Sequence, residues 1–293
     1  MIDASIIVTT YNHGPFVAQC LNSLLSQITS YAMEIVWFDD ASTDDTLTEG
    51  EMALMECSIP VHKLHYQNNR KSRRVPTLLD KIELCRGRYI FWIEGDDFWL
   101  SPHKLQSQIE ALDQMPHLNI CFTPAQIYSG TEIKLGNTLA AHSRQAQVFS
   151  LEEVIVGDGG FMPTASLCIR REMYDNAPDW LYGYMPVGDF PMQVLAAAPN
   201  GALFLPDLTC AYRENVNQSW TQTVFQNPQR RLIFELEFME LLFTMRSHWP
   251  EYVCAFERLA MVHYRTLQDL AWRFNDWNAY QRGGSLLQKI RQG

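Results

Sequence analysis

Three carboxylates follow directly after the apolar run at residues 89–93. They belong to Glu94, Asp96 and Asp97, and the aromatic and β-branched run before them is typical of a buried strand. Ligands of α/β sheets bind at the carboxyl ends of strands, so this placement brings the acids to a ligand-binding edge. Carboxylate oxygens with no Cys or His beside them favour a hard divalent cation, Mg²⁺ or Mn²⁺, which in turn can hold a diphosphate. For this stretch alone, an acidic turn that only ends a strand is an equal alternative.

The elements that must position these acids are visible in the hydrophobic pattern of the first hundred residues. The apolar run at residues 6–8 and the segment 34–38, which is apolar after Glu34, predict two further strands. Apolar side chains at helical spacing between residues 17 and 28 predict a helix after the first strand, and Ser42 or Thr43 is available to cap a helix after the second. This alternation predicts βαβ units on a mostly parallel sheet.

Four segments carry motifs in a characteristic order: SIIVTTYNHGPFVAQCLNSLLSQ, EIVWFDDASTDDT, GRYIFWIEGDDFWLSPHKL and VGDFPMQVLAA. As a set they resemble family 2 glycosyltransferases of the bacterial type, which are inverting enzymes with the GT-A fold. The resemblance extends to about Trp220, and four matches together are far more specific than any one of them. It implies an α/β GT-A catalytic domain over residues 1–220, with a nucleotide-binding half (1–100) and an acceptor-binding half (101–220). Residues 221–293 are then a helical C-terminal region.

The resemblance implies a nucleotide site at the ends of the first two strands. Thr9, Tyr11 and Asp40 match the positions that hold the base and ribose, and the Asp40 carboxylate would accept the N3–H of a uracil or thymine. Asn12 and Asp96 are expected at the same site. On residue type alone, packing for a Tyr and turn chemistry for Asp-Asp before a small residue are the more common interpretations. Only the joint match favours the nucleotide site.

The basic segment (residues 69–74) is the densest run of positive charge in an acidic chain. In the family this part of the chain passes near the diphosphate, where a cation such as Arg74 would offset charge on the leaving group. A solvated loop is the equal alternative.

The resemblance also implies the metal ligands. The acidic motif (residues 94–97) corresponds to the family's Asp-X-Asp, with Glu94 in place of the first Asp, so Asp96 and Asp97 are the stronger candidates for binding Mn²⁺ or Mg²⁺. Asn215 stands where many members carry a His that completes the metal site. An amide oxygen binds a hard cation less strongly, so modest metal affinity is expected.

Asp189, in the segment VGDFPM, matches the position of the family's catalytic base. Transfer with inversion needs a group that takes the proton of the acceptor hydroxyl, and a carboxylate in hydrogen-bond reach can do this. As an isolated residue, Asp189 would more often be a helix N-cap. Thr164 and Ser166 lie in a stretch that the family places near the acceptor.

Composition limits the classes of function. The formal net charge of −10 argues against a nucleic-acid partner. Seven cysteines without CxxC spacing indicate reduced thiols. No leader and no bilayer-spanning apolar run stand out, so we expect a cytoplasmic protein.

The C-terminal region has helical apolar faces, one of which includes His263. Packing onto the catalytic domain or a homodimer interface is favoured over a peripheral contact at the inner face of the membrane.

The sequence therefore predicts an inverting, metal-dependent glycosyltransferase that moves a sugar from a nucleoside diphosphate donor, UDP or dTDP favoured, to a hydroxyl of a glycan or lipid-linked glycan, in cell-surface polysaccharide synthesis. The alternative is a catalytically weak sugar-nucleotide-binding member of the same family that acts as an assembly partner. Asn215 alone favours that alternative. A sugar nucleotidyltransferase would need a Gly-rich, Lys-containing N-terminal signature that this chain lacks.

Overall fold

A computed structural model describes residues 1–130, 132–216 and 219–292. The strands are β1 (Ala4–Thr10), β2 (Met33–Asp39), β3 (Val61–His65), β4 (Tyr89–Glu94), β5 (Phe98–Trp99), β6 (Ile120–Phe122), β7 (Ala125–Ser129), β8 (Glu132–Leu139), β9 (Gln147–Phe149), β10 (Cys168–Arg170), β11 (Ala202–Phe204) and β12 (Cys210–Glu214). The α-helices are α1 (Gly14–Leu25), α2 (Thr46–Ala53), α3 (Leu78–Leu84), α4 (Lys104–Asp113), α5 (Leu151–Val156), α6 (Glu172–Asp175), α7 (Asp189–Ala197), α8 (Trp220–Phe225), α9 (Pro228–His248), α10 (Val253–Arg273) and α11 (Trp277–Gln292). Short 3-10 helices lie at Gly159–Phe161, Thr164–Ser166, Asp179–Tyr182 and Pro250–Tyr252.

These strands form a larger sheet of order β3-β2-β1-β4-β10-β6-β11-β9 and a smaller one of order β5-β12-β7-β8. In the larger sheet β3, β2, β1 and β4 are parallel, so their carboxyl ends share one edge. From β10 onward the sheet is mixed. The parallel half is the part that the βαβ pattern of the sequence predicts.

Strand β1 shows why the parallel strands carry nearly continuous apolar runs. Its side chains alternate between two fully buried clusters: Ile6 and Val8 pack with residues of α1 and α4, whereas Ile7 belongs to the cluster that includes α7 and the C-terminal helices. A sheet covered by helices on both faces needs apolar residues on both.

The C-terminal helices α9, α10 and α11 pack on one another, and α10 also packs on α5. Phe238 and Leu267 on these helices belong to the hydrophobic core that covers one face of the larger sheet, and His263 is buried as well. Their apolar faces therefore pack back onto the sheet domain, while Trp272 and Trp277 remain exposed. The domain boundary at residue 220 stays a prediction. In the described part of the chain, no helix is both long and apolar enough to cross a bilayer.

Two local expectations were wrong. Helix α2 begins at Thr46 with Asp45 as its N-cap, because the hydroxyl of Ser42 instead donates to the carboxylate of Asp39 at 2.5 Å. The helical spacing extended the first helix to Ile28, but α1 ends at Leu25 and Ile28 is largely exposed.

Candidate functional site

The carboxyl ends of β1, β2 and β4 bring the candidate base-binding residues and the acidic motif together. Thr9 pairs with Phe38 on one side and with Glu94 on the other. Beyond the strand ends, the N–H of Asp40 donates to the Thr10 carbonyl and the N–H of Gly95 donates to the Thr9 carbonyl, each at 2.9 Å. The candidate base-binding residues and the acidic motif therefore lie along one edge of the sheet.

A buried hydrogen-bond network fixes the turn that follows β1. The Thr10 hydroxyl donates to Oδ2 of Asp39 at 2.8 Å, and Ser42 joins the same carboxylate to the backbone N–H of Asn12 at 2.9 Å. Asn12 has a φ of 55°, a left-handed conformation that Asn tolerates better than most residues. Tyr11 is 37% exposed at the tip of this turn. The network presents the Tyr11 ring at the sheet edge, where a nucleobase could stack on it.

The carboxylate of Asp40 orders the beginning of the basic segment. It accepts the backbone N–H groups of Arg70 at 2.6 Å and Lys71 at 3.1 Å, while the Asn69 side chain donates to the Asp40 carbonyl. Asp40 therefore joins the end of β2 to the basic segment. A donor base that uses the same carboxylate would have to share it with these two N–H groups.

Arg74 lies at the other end of the basic segment, against the C-terminal helices. Its guanidinium forms an ion pair with Glu237 of α9 and lies 5.2 Å from the ring centroid of Tyr184. These residues line a small cavity of about 240 Å³ together with Trp180. The structure does not join Arg74 to Asp40 by a direct contact, and its role at the diphosphate stays a prediction.

Asp96 and Asp97 are only 6% and 3% exposed, although each is a carboxylic acid. Burial raises the pKa of Asp96, and burial together with the charge of Asp96 raises the pKa of Asp97 well above its ordinary value. Oδ1 of Asp96 is buried without a hydrogen-bond partner among the described residues. An unsatisfied buried carboxylate oxygen is costly unless a cation compensates it. The two carboxylates therefore fit a divalent cation, and Glu94 beside them is exposed to solvent.

The described residues do not contain a ready-made cage of three or more His, Cys, Asp or Glu ligands. Asn215 is exposed, and its amide donates to Glu214 at 3.5 Å. Asp96 and Asp97 are adjacent buried acids, whereas a metal-binding role for Asn215 stays a prediction. Any further ligands would come from water or from a bound diphosphate, as is common for Mg²⁺.

Arg213 is a residue of this site to which sequence reasoning gave no role. Its backbone N–H donates to Oδ1 of Asp97 at 2.7 Å, and its guanidinium donates to the Asp96 carbonyl, to Gln19 at 2.5 Å and to the Gly130 carbonyl at 2.7 Å. It is 3% exposed and also contacts two aromatic rings. A charged residue inside a buried strand was the available signal, since such an Arg requires a buried partner.

Two other residues with side chains at this edge were also missed. Nε2 of His13 lies 3.8 Å from Oδ2 of Asp96. Lys81 of α3 lies over the rings of Phe38 and Trp92; burial and the nearby charge of Lys71 lower its pKa to about 8, against the opposing charges of Asp40 and Glu94. A lone His in a loop and a lone Lys in a helix carry no signal of this kind in the sequence.

Asp189 is the first residue of α7, not its N-cap, which is Gly188. Its Oδ1 accepts the N–H of Phe190 at 2.8 Å. Burial raises the pKa of Asp189 to about 6, and the charges of Glu94 and Asp158 add to this shift. A carboxylate of this kind is ionised at neutral pH yet basic enough to take a proton.

The predicted acceptor residues lie in the 3-10 helix Thr164–Ser166. Thr164 is half-buried, and its role stays a prediction. Ser166 is fully buried, its hydroxyl donates to the Pro163 carbonyl at 2.6 Å, and its own carbonyl accepts from Lys104 and Gln108. In this arrangement the Ser166 hydroxyl would reach an acceptor only if that hydrogen bond broke, and its role stays a prediction.

Residues 5–175, more than half of the chain, match the family described as Glycosyl transferase family 2. The chain belongs to this family. An uncharacterized protein of Mycobacterium tuberculosis is 27% identical over 228 residues, which cover 74% of this chain and 60% of the relative. An uncharacterized glycosyltransferase of Haemophilus influenzae is 28% identical over 174 residues, 58% of this chain and 53% of that protein. The match thus spans only about half to three fifths of these family members.

Solved structures of other glycosyltransferases share the fold. Staphylococcus aureus TarS (residues 1–349, in complex with UDP-GlcNAc) superposes with a TM-score of 0.70 at 14% identity, covering 99% of this chain and 82% of TarS. The mannosyltransferase PcManGT of Pyrobaculum calidifontis, in complex with GDP-Man and Mn²⁺, gives 0.59 at 14% identity, covering 98% and 84%. At this identity the likeness shows the fold alone. The predicted GT-A fold, with helices flanking a central sheet and further helices at the C-terminus, is confirmed.

Proposed function

We propose that this member of family 2 is an inverting, metal-dependent glycosyltransferase. It moves a sugar from a nucleoside diphosphate, UDP or dTDP favoured, to a hydroxyl of a glycan or lipid-linked glycan. The observation that carries the proposal is the buried pair of Asp96 and Asp97 at the carboxyl edge of the parallel strands, in which Oδ1 of Asp96 has no hydrogen-bond partner among the described residues. Such a pair suits a divalent cation that holds a diphosphate, and Asp189, whose pKa burial raises to about 6, suits the general base that transfer to a hydroxyl requires.

The donor's nucleoside would bind at the ends of β1 and β2. Tyr11 offers an exposed ring for the base, Asn12 lies in the same turn, and Thr9 lies near the end of β1 just before it. Asp40 would accept a base N–H, which uracil and thymine provide at N3 and cytosine does not. This difference in hydrogen bonding is the reason that UDP and dTDP are favoured over CMP donors.

The diphosphate would lie near the buried acid pair. Asp96 and Asp97 would hold Mn²⁺ or Mg²⁺, and the cation would neutralise charge on the diphosphate as it leaves. The Mn²⁺ in the PcManGT complex supports this assignment. From the smaller sheet, Arg213 binds the Asp97 carboxylate and the Asp96 carbonyl. The basic segment, including Arg74, would supply further positive charge at the diphosphate.

Asp189 would act on the acceptor. As the acceptor oxygen attacks the anomeric carbon, the bond from that carbon to the diphosphate oxygen breaks and the hydroxyl proton passes to the carboxylate of Asp189. Attack from the face opposite the leaving group inverts the anomeric centre. Because the carboxylate is ionised above pH 6, it is ready to accept the proton at neutral pH.

The acceptor class rests on the kind of reaction and on the family. A glycan or lipid-linked glycan hydroxyl, used in cell-surface polysaccharide synthesis, is the proposed acceptor, and Thr164 is a proposed contact for it. All seven cysteines are free thiols, which suits a reducing compartment such as the cytoplasm. The exposed Trp272 and Trp277 provide surface for a second copy or for a peripheral membrane contact.

The proposal is tested by separating donor binding from turnover in Asp189→Asn. A general base is needed only in the transition state, so turnover should fall by about 10²- to 10⁴-fold while the donor dissociation constant stays within about twofold. Asp175→Asn, in an exposed ion pair on α6, is the control and should change neither quantity. Parent-like turnover in Asp189→Asn would place the base elsewhere.

A sugar-nucleotide binder with weak catalysis is the second candidate, because Asn215 stands where many family members carry a His that completes the metal site. The same experiment separates the two functions. A binder would hold the donor equally well in the parent and in Asp189→Asn, but neither protein would release nucleoside diphosphate above the background rate.

A further inference from the structure

A buried ion network links the C-terminal helices to the loop beside Asp189. His263 of α10 is 5% exposed, with Nδ1 2.6 Å from Oε2 of Glu235 on α9 and Nε2 3.2 Å from Oδ2 of Asp158. Glu235 is fully buried, and its other oxygen is paired with Arg231. The ring of Phe238 packs on the imidazole. His263 thus lies between two carboxylates that come from different parts of the fold.

His263 carries a positive charge in this network at neutral pH. Burial alone would lower its pKa, but the hydrogen bonds with Asp158 and Glu235 raise the pKa to about 9. The same contact outweighs burial at Asp158 and lowers the pKa of that carboxyl. The groups that face His263 are Glu235 from α9, with Arg231 behind it, and Asp158 from the 157–160 loop. A buried charge of this kind persists only where its partners are fixed.

The backbone of the 157–160 loop is strained at Asp158. Its φ of 58° and ψ of −176° fall in a region that residues other than Gly rarely adopt. The Asp158 side chain supports this conformation, since Oδ1 accepts the N–H of Gly159 at 2.7 Å while Oδ2 meets His263. The loop geometry therefore depends on the contact with α10.

The strained loop lies directly against the candidate base. A Cβ placed on Gly159 would be 3.7 Å from both carboxylate oxygens of Asp189, so the Gly159 backbone forms one side of that carboxylate's surroundings. The Gln193 side chain of α7 also donates to the Gly159 carbonyl at 3.3 Å. A shift of the loop would therefore change what surrounds Asp189.

We propose that His263 is a positioning residue for Asp189: it holds Asp158, and through Asp158 the Gly159 backbone, against the carboxylate of Asp189. The C-terminal helices then shape the acceptor side of the site, in addition to packing against the larger sheet. This inference rests on the proposed role of Asp189 as the base. The coupling between α10 and the Asp189 carboxyl can nevertheless be measured without any substrate.

The test is a ¹³C NMR titration of aspartate side-chain carboxyls in labelled full-length protein, with Asp189→Asn identifying the Asp189 signal. Asp158→Asn removes a negative charge near Asp189, so the Asp189 midpoint should move to lower pH by about half a pH unit or more. His263→Gln removes the positive charge that offsets Asp158, so the midpoint should move to higher pH. The side chain of Asn has the same size and its oxygen can still accept the N–H of Gly159, so the loop should keep its shape.

His62→Gln is the matched control, because His62 is also paired with a fully buried glutamate, Glu34 at 3.3 Å, but on β3. It should leave the Asp189 midpoint unchanged. Opposite shifts in Asp158→Asn and His263→Gln support the proposal, whereas unchanged midpoints, or shifts in the same direction, overturn it. If His263→Gln does not fold, Asp158→Asn alone decides, since its unchanged midpoint would contradict the coupling.

A kinetic measurement then separates this proposal from the proposed function. His263→Gln should lower turnover about tenfold at neutral pH with donor affinity unchanged, since it acts through the base. If the Asp189 midpoint shifts in opposite directions in the two variants but the parent protein transfers no sugar, the coupling is upheld and the proposed function is refuted. If the midpoint is unchanged in both variants but Asp189→Asn loses most of its turnover, the function is upheld and the coupling is refuted.

Discussion

The backbone N–H of Arg213 lies 2.7 Å from Oδ1 of Asp97, and this bond fastens the smaller sheet to the acidic motif at the edge of the larger one. The Arg213 guanidinium reinforces the junction with three separate acceptors, which include the carbonyl of Asp96. The position of both acids therefore depends on a residue about 116 positions later in the chain. Such a junction makes Arg213 a sensitive point for both folding and binding.

Arg213→Lys should destabilise the protein by about 2 to 3 kcal/mol, because an ammonium cannot serve three acceptors in the planar geometry of a guanidinium and would leave buried groups unpaired. Urea unfolding gives this value. Arg88→Lys is the control, since Arg88 is half-exposed and its ion pairs with Asp3 and Asp113 lie at the surface; it should cost no more than about 0.5 kcal/mol. Equal losses in the two variants would show that Arg213 has no special role.

Asp97→Ala should abolish Mn²⁺-dependent donor binding, since the buried pair would lose one of its two candidate metal ligands. Calorimetry with UDP-sugar, in Mn²⁺ and then in EDTA, measures the effect. Asn215→His is the companion variant: if Asn215 is a weak ligand, the imidazole should tighten Mn²⁺ binding, because an amide oxygen binds the cation less strongly. An unchanged Mn²⁺ affinity in Asn215→His would remove residue 215 from the metal site.

Asp40→Ala should weaken donor binding by about 1 to 3 kcal/mol, through the lost acceptor for a base N–H and through loosening of the basic segment. The second effect follows because Asp40 binds the backbone N–H groups of Arg70 and Lys71. Asp3→Ala, whose carboxylate binds Ala32 and Arg88 at the amino end of β1, is the control and should leave donor affinity unchanged. An unaffected donor affinity in Asp40→Ala would remove this residue from the nucleotide site.

Turnover should decrease as the pH is lowered through about 6. The base must be ionised to accept a proton, and its pKa is raised to about 6, so activity is lost as the pH falls through 6. The linkage to stability has the opposite sign: the folded protein binds the Asp189 proton more tightly than the unfolded chain, so this stability contribution is lost as the pH rises from about 4 to 6. Asp189→Asn should lack both effects. A pH profile without a limb between about 5 and 7 would contradict the assignment.

The parallel half of the fold is the part that the sequence predicts well. The runs at residues 6–8, 34–38 and 89–93 all lie within strands, because a strand buried on both faces needs an unbroken apolar run. The caps were less predictable. Ser42 has the side chain of an N-cap, yet it binds Asp39 and Asn12, since a buried carboxylate competes more strongly for its hydroxyl than a helix terminus does.

The partners of charged side chains were not predictable from one sequence. His263 was placed correctly on an apolar helix face, but its partners Glu235 and Asp158 are 28 and 105 residues away, and nothing in the local pattern identifies them. Arg213 and Asp97 are likewise joined only by the folding of the smaller sheet. Residue type and spacing identify candidate ligands, whereas the contacts between distant elements decide how those ligands are held.

Donor selectivity in the parent protein tests the central claim most directly. Calorimetry with UDP-GlcNAc, dTDP-glucose, GDP-mannose and a CMP-sugar, each with Mn²⁺ and with EDTA, measures whether a nucleoside diphosphate sugar binds and whether the metal and the base matter. The account predicts saturable binding of a UDP- or dTDP-sugar that is lost in EDTA, and no binding of the CMP-sugar. Tight binding of the CMP-sugar alone, or binding of any donor that EDTA leaves unchanged, would contradict it.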